Sequence, residues 1–327
     1  RRATLMEFDL IELIRQRTVQ ARDDVRLGIG DDAAVLAVPA GQELAVAIDT
    51  LVEGVHFPRG TDPADIGWKA LAVNLSDLAA MGATPAWALL GLTLPQADRA
   101  FVEGFVDGFS RLAAVHRLAL VGGDTTRGPL TVSVAVHGFV PPGKALTRAG
   151  ARVGDAVLVT GTLGDAAAGL NVLQQWRREE DDRGQLRDYL VERLNRPTPR
   201  LAAGVALRGQ AHACVDVSDG LLADLGHICA ASGVGAEIDA ALLPRSSALL
   251  GLYDDATALH FALGGGDDYE LCFCVPPDRL SQVQADLSRL GCGATRIGRI
   301  VAGTGVRVRG HDSGWMEPGT PGWEHFA

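Results

Sequence analysis

The stretch Ala70-Leu71-Ala72-Val73-Asn74-Leu75-Ser76-Asp77-Leu78-Ala79-Ala80-Met81-Gly82 constrains this chain more than any other. It reads as a helix with almost no polar face, and such a helix belongs in the interior. Asn74 and Asp77 stand three residues apart and share one side of it. An isolated carboxylate there is costly to bury, so Asp77 demands a strong partner. Lys69 lies elsewhere on the helical wheel. A divalent cation meets that demand, because hard cations take oxygen ligands. An arginine or a helix N-terminus from elsewhere in the fold would meet it as well. Asp62-Pro63-Ala64-Asp65 supplies the start of this helix, with Asp62 as N-cap and Pro63 in the first position. Gly82 supplies its end.

The chain has 327 residues, enough for two domains. Pro141-Pro142-Gly143 is the best candidate linker. The expected division is therefore residues 1–142 and 143–327. Strand-like runs (Leu44 to Ile48, Pro85 to Leu94, Leu118 to Val121, Thr131 to Val140, Ala156 to Thr160, Ala213 to Asp216) alternate with helical ones. That order gives an α/β or α+β class with mixed sheets. A net charge of -10 excludes a general nucleic-acid binder, though not a nucleotide binder, since bound cations reverse the local sign. Five cysteines in no C-x-x-C pair read as reduced thiols of a cytoplasmic protein, each of them otherwise a small buried hydrophobe. No apolar run reaches membrane-spanning length, and Arg1-Arg2 is not followed by the apolar segment of an export signal. Residues before Met6 read as an appended remnant or an upstream extension.

Asp32, Asp49, Asp124, Asp216 and Asp267 share one local pattern: each lies beside an apolar strand-like run, next to small residues or within glycine. Asp219 follows Asp216 by three. One such aspartate is an ordinary turn residue. Spread over both halves of the chain, they suggest loops converging on cations. Acidic oxygen ligands with little Cys or His favour Mg²⁺ or Ca²⁺ over zinc. The chain lacks a G-x-x-x-x-G-K-[ST] loop, a dinucleotide fingerprint, a protein-kinase catalytic loop and a G-x-S-x-G nucleophile. Gly122-Gly123-Asp124-Thr125-Thr126 offers backbone N–H groups to a phosphate. Metal ligands and glycine loops together point to phosphate chemistry outside the common nucleotide folds.

At Gly28-Ile29-Gly30-Asp31-Asp32, Asp49-Thr50-Leu51-Val52-Glu53-Gly54-Val55-His56-Phe57, Asn74 to Gly82, Gly122 to Gly128, Val217-Ser218-Asp219-Gly220-Leu221 and Tyr269-Glu270-Leu271, the sequence resembles the thiamine-monophosphate kinase family of the aminoimidazole-ribonucleotide-synthetase superfamily. The resemblance implies ATP-dependent phosphorylation of thiamine monophosphate to thiamine diphosphate. It also implies two α/β domains and a homodimer whose N-terminal domains pair their sheets; the charge and the lack of a long apolar run add the expectation of no nucleic acid or membrane partner. Carried over by position, it implies Asp32, Asp49, Asp77, Asp124, Asp216 and Asp219 as Mg²⁺ ligands. It likewise implies Gly123, Asp124, Arg148 and Ser218 at the ATP, and His56, Asp267 and Trp323 at the thiamine substrate. Two positions depart from the family pattern. Ala47-Ile48 stand where Ser-Thr is usual, which removes hydroxyl ligands, and Asp267 stands where Glu is usual, which shortens the reach. No general base is implied, because a phosphate monoester is largely ionised at neutral pH, its second pKa being about 6. The rival readings are another ATP-using enzyme of the superfamily, acting on a different small molecule, and a Mg²⁺-dependent nucleotide binder without turnover.

Overall fold

The computed structural model describes residues 7–18, 21–175, 182–312 and 314–316. Trp323, Met6 with the residues before it, and most of the mixed charge run after Trp176 lie outside the described residues. The chain divides into two compact units, one of Arg1–Leu78 with Ala83–Gly143 and one of Ala79–Gly82 with Lys144–Ala327.

The first unit runs α1 (Glu7–Arg17), β1 (Val25–Leu27), β2 (Val35–Leu36), β3 (Glu43–Val52), α2 (Pro63–Ala80), β4 (Thr84–Leu94), α3 (Arg99–Val115), β5 (Ala119–Arg127) and β6 (Thr131–Val140). Its main sheet has the order β3-β6-β4-β5, antiparallel except for the parallel β4–β5 pair. One face carries Val132, Val134, Val136, Leu90 and Leu92, all buried. The opposite face is half covered. The β1–β2 pair packs Val25 and Leu36 against Trp87 and Phe139. The Trp87 indole donates to Asp24 at 3.0 Å, and Arg22 grips the same carboxylate and holds it below the usual carboxylate range. Beyond that cover Leu44, Val46 (59% exposed), Ile48 (65%) and Leu89 stay open to solvent.

Helix α2 begins and ends where its sequence signals stand. Asp62 accepts from the N–H of Ala64 at 2.8 Å. Gly82 has φ +66°, and the N–H of Ala83 reaches back to the Leu78 carbonyl. From Lys69 to Ala80 every residue is buried except Asp77, which is half-buried. The expected fully interior carboxylate is thus the one opening in a closed helix wall. Helices α2 and α3 meet through glycine. A Cβ on Gly67 would stand 1.9 Å from the Phe105 carbonyl oxygen, and one on Gly108 would stand 1.8 Å from that of Ala64.

The glycine stretch after Val121 is not a loop. Strand β5 continues through it to Arg127, pairing Gly123 with Leu90 and Asp124 with Gly91. The cause is steric. A Cβ on Gly123 would lie 1.9 Å from the Leu90 carbonyl oxygen, so only glycine lets β5 stay paired past the bulge at Ala88/Leu89.

The second unit runs β7 (Ala156–Thr160), α4 (Asp165–Gln175), α5 (Gly184–Asn195), α6 (Leu201–Leu207), β8 (Ala213–Asp216), α7 (Leu221–Ser232), β9 (Gly235–Asp239), α8 (Ser247–Leu252), α9 (Asp255–Gly264), β10 (Leu271–Val275), α10 (Leu280–Arg289), β11 (Ala294–Val301) and β12 (Gly305–Arg309). Its sheet has the order β12-β9-β11-β7-β10-β8, with β12–β9 the parallel pair. Strands β7, β8 and β10 are buried throughout, which explains their unbroken apolar sequences. Both units are mixed-sheet α/β structures, as the sequence predicts.

The glycine contact between α2 and α3 yields a stability test. Gly108→Ala should cost about 3 kcal/mol by overpacking. Gly226→Ala, in α7 with open space around its Cβ position, should gain about 0.5–1 kcal/mol. Thermal melts of both variants check the pair.

Candidate functional site

In the first unit the strand period sorts the predicted residues onto two faces. Asp49 pairs with Val134 on the buried face, which α2 covers: its N–H donates to the Asn74 side-chain oxygen at 2.9 Å. The Asn74 amide donates in turn to the Ala70 carbonyl, which fixes its orientation. Asp77 stands one turn further along α2. The pairing of Asn74 and Asp77 read from the helix wheel therefore brings a third oxygen residue, Asp49, alongside. Ala47 shares the side of Asp49, whereas Ile48 points to the open face.

Asp124 is elsewhere. It sits in the row Thr50–Ser133–Gly91–Asp124, whose Thr50 and Ser133 hydroxyls bond at 2.7 Å. Strands β3 and β5 are the two edges of the sheet, so Asp49 and Asp124 are three strand spacings apart, about 14 Å. Gly123 and Asp124 line a shallow hollow with Ile29, Leu90 and Leu120. Asp32 lies exposed in the turn before β2, its N–H bonded to the Asp31 carboxylate.

His56 follows β3 in a tight turn around Gly54, which has φ +80°. Its Nδ1 accepts from the N–H of Val52 at 2.9 Å, and its carbonyl accepts from the buried Lys69 ammonium at 3.2 Å. An Nδ1 that accepts leaves the ring proton on Nε2.

In the second unit the structure brings four predicted residues together. Asp216 ends β8 and is buried, and Ser218 and Asp219 follow it. Asp267 docks on the same turn, its N–H donating to the Ser218 carbonyl at 2.8 Å. Arg148 is exposed, but the neighbouring Thr147 carbonyl takes the N–H of Cys214 in β8. The Arg148 carbonyl accepts from Ser232.

Beneath this turn lies a polar network that the sequence reading did not pick out. Glu270 is fully buried and takes both arms of the Arg200 guanidinium at 2.7 Å, Arg193 at 3.0 Å and the Thr160 hydroxyl at 2.6 Å. Asp268, also buried, accepts from the N–H of Gly164 at 2.8 Å. Burial pushes the carboxyls of Asp165 and Asp268 up, and pairing with Glu270 pushes the Arg200 guanidinium up despite burial. Asp224, in the first turn of α7, accepts from three backbone N–H groups, and its side chain lies within 4.8 Å of ligand atoms of Asp219 and His227. The available signal was the run Asp267-Asp268-Tyr269-Glu270, three acids within four residues of a glycine triplet.

The charge pattern fits hard-cation chemistry. Asp32, Asp49, Asp77 and Asp124 are solvent-reachable carboxylates set on short turns, strand edges and one rigid helix.

Residues 30–140 match the family description "AIR synthase related protein, N-terminal domain", and residues 152–311 match "AIR synthase related protein, C-terminal domain". Thiamine-monophosphate kinase of Escherichia coli (strain K12) is 50% identical over 321 residues, 98% of each chain. The crystal structure of thiamine-monophosphate kinase from Stenotrophomonas maltophilia K279a superposes with TM-score 0.86 at 54% identity, over 93% of this chain and 96% of that one. AaThiL complexed with AMPPCP and TMP superposes with TM-score 0.77 at 35% identity, over 98% and 97%.

A pH measurement follows from Asp224. Burial, with the nearby Asp216 and Asp219 adding, pushes its carboxyl from 3.8 up to about 7 against the pull of its N–H donors. The folded chain then keeps a proton that the unfolded chain releases. This contribution is least unfavourable below about pH 4, and stability falls as pH rises toward 7. Denaturant melts of cation-free protein should show that slope, and Asp224→Asn should flatten it.

Proposed function

The chain belongs to the thiamine-monophosphate kinase family, within the AIR synthase related proteins, and on that premise we propose how its residues phosphorylate thiamine monophosphate with ATP. The observation that carries the reading is that Asn74 ties α2 to the backbone of Asp49 while Asp77, three residues on, is the one half-buried residue between Lys69 and Ala80.

Asp32, Asp49, Asp77, Asp124, Asp216 and Asp219 would hold Mg²⁺. Bound there, Mg²⁺ would screen the repulsion between two polyanions and align an in-line transfer. The protein supplies position and charge and no general base, since the attacking phosphate oxygen is already ionised. Gly123 gives a close backbone approach with no side chain in the way, and the exposed Arg148 would bring its guanidinium to the ATP phosphates. Ser218 offers a hydroxyl on the turn that also presents Asp219. His56 donates from Nε2 to the substrate, held by Val52 behind it. Asp267 contacts the substrate with a shorter reach than Glu, and Trp323 stacks on a cationic or aromatic ring. Transfer is direct, without a phosphoenzyme.

The working form is a homodimer. An edge strand showing Leu44, Val46 and Ile48, continued by Leu89, is an apolar surface suited to a second copy. The wide separation of Asp49 and Asp124 in one sheet supports the same reading, because a cation cluster taking both needs ligands from two copies. No nucleic acid takes part, consistent with the charge of -10. Five buried, unpaired cysteines with thiols pushed up by burial suit the reducing cytoplasm. No helix among the described residues is long and apolar enough to cross a membrane.

Mixing the protein with ATP and thiamine monophosphate should give thiamine diphosphate and one ADP per product only when Mg²⁺ is added. Asp77→Asn should cut turnover on the order of 100-fold with the fold retained by circular dichroism. Substantial activity in that variant removes Asp77 from the metal set. Ile48→Glu should move the protein toward monomer in sedimentation velocity, and an unchanged dimer would refute the open face as the interface.

A further inference from the structure

We propose that Asp224 is a positioning residue that sets the nucleotide turn and the substrate acid of the second unit at the same time. The inference rests on the reading above, in which Ser218 meets ATP, Asp219 meets Mg²⁺ and Asp267 meets the thiamine substrate.

One side-chain oxygen of Asp224 accepts from three successive backbone N–H groups: Ser218 at 3.0 Å, Asp219 at 3.0 Å and Gly220 at 3.1 Å. Asp224 is 2% exposed, so water does not replace these bonds readily. Three consecutive amides face one atom only if the chain curls tightly around it. Gly220 supplies the curl with φ +122°, and a Cβ there would strike the Gly264 carbonyl carbon at 2.9 Å. The shape of the turn bearing Ser218 and Asp219 is therefore moulded on the Asp224 oxygen.

The other side of that turn carries the substrate acid. The Val217 N–H donates to the Glu270 carbonyl, the Tyr269 N–H to the Val217 carbonyl and the Asp267 N–H to the Ser218 carbonyl, each at 2.8 Å. Asp267 and Tyr269 both hold positive φ, 67° and 50°, a conformation that non-glycine residues keep only when their surroundings impose it. The Tyr269 hydroxyl donates to the Asp267 carboxylate at 3.2 Å, which aims it. Any shift of Ser218 thus passes through its carbonyl to Asp267. A residue that touches neither ligand orders the groups that touch both.

A helix-capping role alone would lower stability and leave the kinetics of folded enzyme unchanged. The test is steady-state kinetics on full-length Asp224→Ala and Asp224→Asn, below the melting range of each, with ATP, thiamine monophosphate and Mg²⁺ varied in turn. Asp224→Ala should raise the KM for ATP, the KM for thiamine monophosphate and the half-saturating Mg²⁺ concentration, each by about 10-fold. Asp224→Asn, which keeps an oxygen acceptor in place, should return all three to within about threefold of the parent. If Asp224→Ala does not fold, Asp224→Glu carries the same expectation, because it moves the oxygen out of register with the three N–H groups. Unchanged constants, a rise for ATP without one for thiamine monophosphate, or an Asn variant as impaired as Ala would each overturn the proposal. Asp219→Asn and Asp267→Asn run alongside. Their normal loss beside an unaffected Asp224 variant removes the positioning role alone. Unchanged constants in these two controls remove the site reading, and the proposal with it.

Discussion

The buried ion pair between Glu270 and Arg200 carries the second unit. A carboxylate with no exposure survives only if its charge is met and its lone pairs are filled. Here two parallel guanidinium bonds, a second arginine and the Thr160 hydroxyl do so. Because Thr160 ends β7 and Glu270 precedes β10, the pair also pins the ends of two neighbouring strands where the site residues emerge. Gly161 completes the arrangement: a Cβ there would lie 2.2 Å from the Glu270 carboxylate oxygen. Removing one partner would strand the other charges, so the network behaves as a unit.

The first unit uses the opposite strategy. Asp49, Asp77 and Asp124 stand on regular elements, and precision comes from close backbone contact. Gly67 and Gly108 let α2 and α3 approach until main chain meets main chain, which fixes the spacing of the two helices. Asn74 then ties α2 to β3 through the Asp49 N–H. Asp77 is held by a rigid helix, whereas Ser218 and Asp219 are held by hydrogen-bonded turns.

Most of this fold is legible in the sequence because local signals agree with tertiary demand. Asp62-Pro63 and Gly82 bound α2, and the apolar runs of β7, β8 and β10 are short, unbroken and flanked by turn residues. Strand β5 was not legible past Val121, because Gly122-Gly123 signals a loop unless the backbone of a parallel neighbour lies within contact distance. The half-exposure of Asp77 could not be read either, since a helical wheel shows which side a residue shares and not where the wall ends. In the site, the exposed aspartates announce themselves through their loops. Asp268 and Glu270 sit in such a run, but their partners, the Gly164 N–H and Arg200, are distant in sequence, and Asp224 lies inside a helix that gives no sign of the turn it serves.

Strand β3 has a bearing on the life of the newly made chain. It is an edge strand of ten residues, with Leu44, Val46 and Ile48 turned to water. Long apolar edges of this kind recruit other strands indiscriminately, and neither proline nor lysine guards this one. Freshly folded chains therefore face a race between orderly cover and clumping. The balance tips toward insoluble material as synthesis outpaces encounter with the correct surface.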